Sequence, residues 1–243
     1  MSELPRYLHL MWGREPAGRR GPRPTRTITE IGRAAVELAD AAGLEAVTMK
    51  SVAEAIGFTT MSLYRYLDSK DELFAVMLDV AAGPPPQPDV GQSWRSALTT
   101  WARDMATHRL AHPWMLQISP GSPPLTPNML AWTDAGLACL ATTPLTAAER
   151  FSSLLAVDAW AAQHVRQSLQ FQLIGPRKDD AAAVSYAVNL ATLVDPERLP
   201  ALWAAAQEAL QDNDHDEDFF EDEFARGLAL LLDGVQAMIH RRL

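Results

Sequence analysis

Residues 48–70, TMKSVAEAIGFTTMSLYRYLDSK, decide how the rest of the chain is read. Thr48 has the hydroxyl of a good N-cap, which accepts a free backbone N–H of a first helical turn. Val52, Ala53 and Ile56 follow at helical spacing, and Gly57 stands where that helix must stop, because glycine takes the left-handed conformation that ends helices. Ala53 is small enough for a second helix to cross closely, and Phe58 fits the corner as an apolar plug. Thr59 or Thr60 caps the second helix, with Met61, Leu63 and Leu67 expected inward. Ser62, Tyr64, Arg65 and Tyr66 are then left for solvent or a partner. Two short helices about a glycine turn, the second rich in hydroxyl, phenol and guanidinium groups, describe a helix-turn-helix.

Small–Gly–apolar spacing occurs in any helical hairpin, but the flanking sequence narrows the reading. ITEIGRAAVELADAAGLEAVTMKSVAEAIGFTTMSLYRYLDSKDELFAVMLD resembles the DNA-binding domain of the tetracycline-repressor (TetR) family of transcriptional regulators over about residues 25–82. The AAGLEAVTM approach, the MSLYRYL recognition helix and the SKDEL start of a connecting helix carry that resemblance. It implies that Thr60, Ser62, Tyr64 and Arg65 face the major groove, with Thr59 and Tyr66 beside them, and that Lys50 and Lys70 hold phosphates. Relatives often have arginine where Lys50 stands; a lysine offers a point charge in place of a bidentate fork. An ordinary core hairpin leaves the Tyr64-Arg65-Tyr66 cluster unexplained.

Composition bounds the alternatives. The 243 residues suffice for two domains with real cores, and 48% hydrophobic with 21% charged residues is a globular balance. No apolar run approaches the ~20 residues of a spanning helix, and LHLMW is too short for a signal-peptide core, so no membrane partner is expected. Cys139, the single cysteine, excludes an internal disulfide, fits a reducing cytoplasm and reads as a buried thiol.

A net charge of −9 at first argues against nucleic acid, but the distribution of that charge argues for it. Residues 1–26 hold six arginines against two glutamates, whereas the acidic run Asp212–Glu223 lies far along the chain as a solvated helix start. A basic arm beside a helix-turn-helix is the charge that matters, because local potential governs phosphate contact. GRRGPRPTR is too rich in Gly and Pro for a helix; it either follows a DNA groove or remains a tail. Leu4–Trp12 is apolar enough to pack on the body of the protein.

The expected organisation is an arm over 1–24, a three-helix DNA-binding domain over 25–82 and a helical domain over 93–243, all-α throughout. Ile28, Ile31, Ala35, Leu38 and Ala42 form the stripe of a first helix over 27–42. Asp68 or Ser69 caps a connecting helix that presents Leu73, Phe74, Met77 and Leu78, and GPPPQPD at 83–89 ends the domain. Beyond Ser93 the pattern predicts helices over 93–111, 113–118, 126–142, 146–174, 180–194, 196–211 and 217–241.

An enzyme is the rival class, and its marks are missing. The sequence contains no nucleophile-elbow spacing, no phosphate-cradling glycine loop, no HExxH and no cysteine cluster. His108 and His112 lie four apart but have no adjacent carboxylate to complete a metal site, so no catalytic residue, metal or cofactor is expected. The C-terminal half is instead rich in large adaptable side chains interleaved with polar ones. Most must be core, but a pocket between helices is expected, since the family resemblance implies an effector site. Trp101, Met105, His108, Trp132, Trp160, His164 and Gln167 are its candidate walls, and the absence of a paired cationic cluster favours a largely apolar effector.

The closing FEDEFARGLALLLDGVQAMIHRR resembles, more loosely, the last helix of the tetracycline-repressor-like C-terminal domain, where family members dimerise. Phe220, Phe224, Leu228, Leu231, Leu232, Val235 and Ile239 make a wide stripe there, and Phe151, Leu155, Val165 and Leu169 make a matching one. Two such helices per protomer give a two-fold four-helix interface. The expectation is a homodimeric repressor on a palindromic operator in duplex DNA, released by a small-molecule effector. The alternatives are a ligand-dependent activator or co-repressed regulator, and a helical ligand-binding or enzymatic protein with a vestigial helix-turn-helix.

Overall fold

The computed structural model describes residues 4–14, 26–87, 91–119, 121, 123–171, 188–190, 192–211 and 219–242, which are helices and turns with no strand among them. α1 (Arg6–Met11) precedes the three-helix unit of α2 (Ile28–Ala42), α3 (Met49–Ala55) and α4 (Thr60–Leu63), and α5 (Lys70–Ala82) leads out of it. The second half comprises α6 (Trp94–Ala111), α7 (Pro127–Cys139), α8 (Ala147–Gln170), α9 (Pro200–Gln211) and α10 (Phe219–His240).

Local chemistry sets the helix starts. Thr27 and Glu30 form a reciprocal capping box on α2, and Thr48 and Ser51 form another on α3. Thr59, not Thr60, caps α4, and Ser69, not Asp68, caps α5. Gly57 holds φ at 72°, while Phe58 N–H donates to the Ala53 carbonyl at 2.7 Å, closing α3 and turning the chain. Two cores result. Ile31, Ala35, Val47, Val52, Leu63, Leu67, Leu73 and Val76 are solvent-free in the first, and Leu98, Trp132, Leu140, Val157, Val165 and Phe224 are buried in the second.

Leu4–Trp12 packs on the body as the sequence leads one to expect, whereas the span 113–118 differs from expectation. Leu4–Trp12 contains a helix whose Leu8 is buried, with Tyr7, Leu10 and Met11 packed on the first core. Trp12 also donates from Nε1 to the Leu125 carbonyl at 2.9 Å. The expected span 113–118 is a single 3-10 turn, Pro113–Gln117, and it inserts Trp114 into the first core. Residues 15–25, with most of GRRGPRPTR, and 172–187, with most of the expected 180–194 helix, lie outside the described residues, as does the acidic run 212–218.

Besides the Trp12–Leu125 bond, two hydrogen-bonded ties among the described residues join the halves. Asp40 of α2 accepts Trp114 Nε1 at 2.6 Å and pairs with His112 Nδ1 at 2.8 Å. The second tie is reciprocal. Asp79 of α5 accepts the N–H groups of Asn128 and Met129 at the start of α7, at 2.7 and 3.2 Å. Trp132 of α7 donates from Nε1 to the Ala82 and Gly83 carbonyls at the end of α5, at 3.2 and 2.9 Å. Each helix thus satisfies terminal backbone groups of the other, groups that a helix leaves unpaired by itself.

Candidate nucleic-acid interface and effector cavity

The recognition segment is shorter than the sequence suggests. Only Thr60–Leu63 is α-helical, and the chain continues as tight turns in which the Tyr66 and Leu67 N–H groups donate to the Leu63 carbonyl. Leu63 and Leu67 anchor it in the core. Met61 is a correction: it is 76% exposed, because the short helix turns only one narrow face inward and residues 63 and 67 fill it. Met61, Tyr64 and Arg65 therefore stand together on the outer surface. Tyr66 is half-buried, stacked on Phe58 with ring centroids 6.1 Å apart. Thr59 and Ser62 share a hydroxyl hydrogen bond of 2.9 Å, so both hydroxyls are engaged in capping. Lys50 pairs with Glu54 at 3.8 Å, and Lys70 lies over the Phe74 ring, 5.0 Å from its centroid. Both lysines are exposed at opposite ends of the motif.

A cavity of about 710 Å³ lies where α5, α6, α7 and α8 meet beneath α1. Its size falls within the ordinary range for small-ligand sites. The walls follow helical periodicity: Met105, His108 and Arg109 from α6, and Leu155, Asp158, Ala162 and Arg166 from α8. Asp71, Glu72, Phe74 and Leu78 of α5, Met129 and Trp132 of α7, Met115 of the 3-10 turn, and Pro5 and Tyr7 of the N-terminal segment also line it. His108 meets the Trp132 ring edge-on at 5.1 Å. Burial lowers the His108 pKa, and burial raises that of the Glu72 carboxyl on the opposite wall. Trp132 is both a cavity wall and a hydrogen-bond partner of the α5 C-terminus.

The tetracyclin repressor-like C-terminal domain is matched over residues 87–239, and the bacterial regulatory protein tetR family domain over residues 31–77. The chain belongs to the TetR family. It is a DNA-binding transcriptional regulator, 33% identical to the HTH-type transcriptional repressor DrrR1 of Streptomyces coeruleorubidus over 99% of this chain and 88% of that one. An HTH-type transcriptional regulator of Saccharopolyspora erythraea is 28% identical over 67% of this chain and 68% of its own. Among solved structures, apo ActR from Streptomyces coelicolor has the same fold, with a TM-score of 0.73 and 19% identity over 91% of this chain and 100% of ActR. ActR in complex with actinorhodin superposes with a TM-score of 0.72 at 20% identity, over 89% and 99%.

In this TetR-family chain, folding gathers only part of the expected effector set. Met105, His108 and Trp132 line the cavity. Trp101 does not; it is buried one layer away, donating from Nε1 to the Trp132 carbonyl at 3.0 Å. Trp160 and His164 lie on the other side of α8, where Trp160 donates to the Phe224 carbonyl and His164 Nε2 bonds the Phe220 carbonyl. Gln167 is exposed. A helix sends residues four apart to one face, so Trp160 and His164 share a face that the stripe through 155, 158, 162 and 166 excludes. Arg109, Arg166, Asp158 and Phe74 were absent from the expected set. The i, i+4, i+8 spacing of 158, 162 and 166 is the signal in the sequence that puts Asp158 and Arg166 on one helix face.

The final helix also departs from expectation. Phe224, Leu228, Leu232, Val235 and Ile239 are all buried within the protomer. Among the described residues of α8 and α10, the exposed large apolar side chains are instead Leu230 on α10 and Phe151 and Leu155 on α8, 75%, 53% and 70% exposed, Leu155 at the cavity. Gly227 lets the two helices meet there, because any Cβ at that position would collide with the Trp160 ring. Cys139 is half-buried, bonded to the Ala135 carbonyl, and burial raises its thiol pKa. Among the described residues no helix is long and apolar enough to cross a membrane.

Proposed function

We propose that this TetR-family regulator is a repressor that binds a palindromic operator as a homodimer and lets go when a small molecule enters the cavity beneath α1. One observation carries the reading: Trp132 faces the cavity and at the same time holds the C-terminal carbonyls of α5, the helix that leaves the helix-turn-helix. A ligand that moves the Trp132 ring must lengthen or redirect those bonds and so bias the tilt of α5. Such a ligand weakens DNA binding by the difference between its affinities for the two tilts. That the relative DrrR1 is named a repressor, and that ActR binds actinorhodin, supports the same assignment.

Tyr64, Arg65 and Met61 would read base edges, with Thr60 and Ser62 beside them, while Lys50 and Lys70 contact phosphates at the rim. Thr59 and Tyr66 act by holding the segment in shape. The outward residues Phe151 and Leu230, with the small residues Ala156 and Gly227 beside them, make the dimer face. Two-fold symmetry then sets the recognition segments about 34–36 Å apart, one DNA turn, or a multiple of it. The test is fluorescence anisotropy on the upstream region of its own gene. The full-length protein should bind in a salt-dependent manner, and Trp132→Phe, which keeps an aromatic ring but loses both hydrogen bonds, should bind DNA but respond weakly to cavity ligands. Absence of sequence-preferring binding overturns the regulator's assignment to that site; an unchanged ligand response in Trp132→Phe overturns the coupling route.

A further inference from the structure

The cavity walls differ in how firmly they are held. α5, α6, α7 and α8 are long helices pinned by Leu73, Leu98, Trp132 and Val157, each at most 1% exposed. The N-terminal segment contributes Pro5 and Tyr7, and the stretch after the 3-10 turn contributes Ser119, Pro123, Pro124 and Leu125. α1 has only six residues, too few for a helix to persist by itself in water. Its first turn has no side-chain cap, and Leu8 is its one buried residue. Past the helix, Trp12 donates from Nε1 to the Leu125 carbonyl at 2.9 Å, and both residues are exposed. Such a bond adds little net stability, because water replaces it on opening. Segments with few buried contacts open locally while the rest of the fold stays closed. Leu125 is the fixed end of this clasp: Pro123 and Pro124 stiffen the chain before it, and Asp79 holds the start of α7 after it. α1 is therefore the part that moves.

Resting on the reading of this cavity as the effector site, we propose that α1 is its gate: a strap latched by the Trp12–Leu125 bond, which opens to admit a small molecule while α5 to α8 stay folded. One side of the strap rests on the DNA-binding unit through Tyr7, Leu8, Leu10 and Met11, and its end hooks the second half at Leu125. The latch sets how fast a ligand reaches the cavity; the helical walls set how tightly it is held.

The experiment uses the full-length chain carrying Cys139→Ser and Met105→Cys, which puts one thiol on the α6 wall, where Met105 is 9% exposed. The probe is 4,4′-dithiodipyridine, a small uncharged disulfide whose exchange with the thiol is followed by absorbance. Adding Trp12→Phe, which keeps a ring but removes the latch donor, should raise the labelling rate about fivefold, the scale of one exposed hydrogen bond. It should also quicken amide hydrogen exchange in residues 5–12 and leave α5 to α8 unchanged. Leu230→Cys in place of Met105→Cys, exposed on α10, should label at one rate with and without Trp12→Phe. Met129→Cys gives the same reading from the α7 wall if Met105→Cys does not fold. An unchanged labelling rate in Trp12→Phe, or exchange that quickens equally in α6 and α8, overturns the gate. Gated labelling in a protein whose operator affinity the attached label does not alter leaves the gate standing and removes the effector-site reading alone.

Discussion

Replacing Asp79 probes the junction between the two halves of the molecule. The residue is 3% exposed, and its carboxylate accepts from Asn128 N–H, Met129 N–H and Asn128 Nδ2 at 2.7, 3.2 and 3.1 Å. In Asp79→Ala the first-turn donors of α7 lose their acceptor in a closed environment, at about 1–3 kcal/mol for each donor stranded. Relief of burying a carboxylate offsets part of this, since burial holds the Asp79 pKa above its ordinary 3.8 despite the hydrogen bonds. The net expectation is a loss of about 2–4 kcal/mol, or a fall in Tm of about 2–4 °C for each kcal/mol in a chain of this size. The pH signature has a definite sign. A raised folded-state pKa means the native state binds more protons from 3.8 up to the raised value, so wild-type stability falls as pH rises through that window. Asp79→Asn lacks this slope and should be penalised less at pH 7 than near pH 4. Urea unfolding at matched protein concentration, at both pH values, measures each quantity. A change below about 0.5 kcal/mol in Asp79→Ala, or the opposite pH trend in Asp79→Asn, would refute the reasoning.

Four further outcomes are expected. The Tyr64→Ala, Arg65→Ala double variant should lose on the order of 1–3 kcal/mol per base contact removed and blur operator preference in anisotropy titrations, whereas Lys70→Ala should weaken binding to all sequences and lower the salt slope by about one unit. Phe151→Asp with Leu230→Asp, both on the outward face, should give a folded monomer by light scattering that fails to hold a palindromic operator; a stable dimer from this variant would place the interface elsewhere. Glu149, bonded to Arg242 and to the Thr146 cap, has its pKa lowered from 4.5 to about 2, the Arg242 bond being the first cause. Its stabilisation is present above pH 4.5 and is lost as pH falls toward 2, so Glu149→Gln should flatten the acid limb of a stability profile relative to wild type.

The helix-turn-helix was legible in sequence because its determinants are local. A Thr48 cap, a glycine forced to positive φ at 57 and apolar residues at helical spacing each act within a few residues of themselves. Even there, the exposure of Met61 was not legible, because α4 is one turn long and its inner face has room for Leu63 and Leu67 only. The apolar stripe of the last helix was legible as a stripe, but not which way it faces: Val235 and Ile239 point into their own protomer, and Leu230 points out.

What the sequence by itself determined is therefore the class of the protein: all-helical, with a reading motif near one end and an apolar bundle after it. Only the tertiary structure decided the cavity. Periodicity names the residues that share a helix face but not the rotation of that helix against its neighbours. On α8 this rotation turned Asp158 and Arg166 toward the cavity and Trp160 and His164 toward α10. It likewise brought Trp132 against the end of α5. Such choices are settled by packing among residues distant in sequence, whose close fit leaves each helix one low-energy orientation.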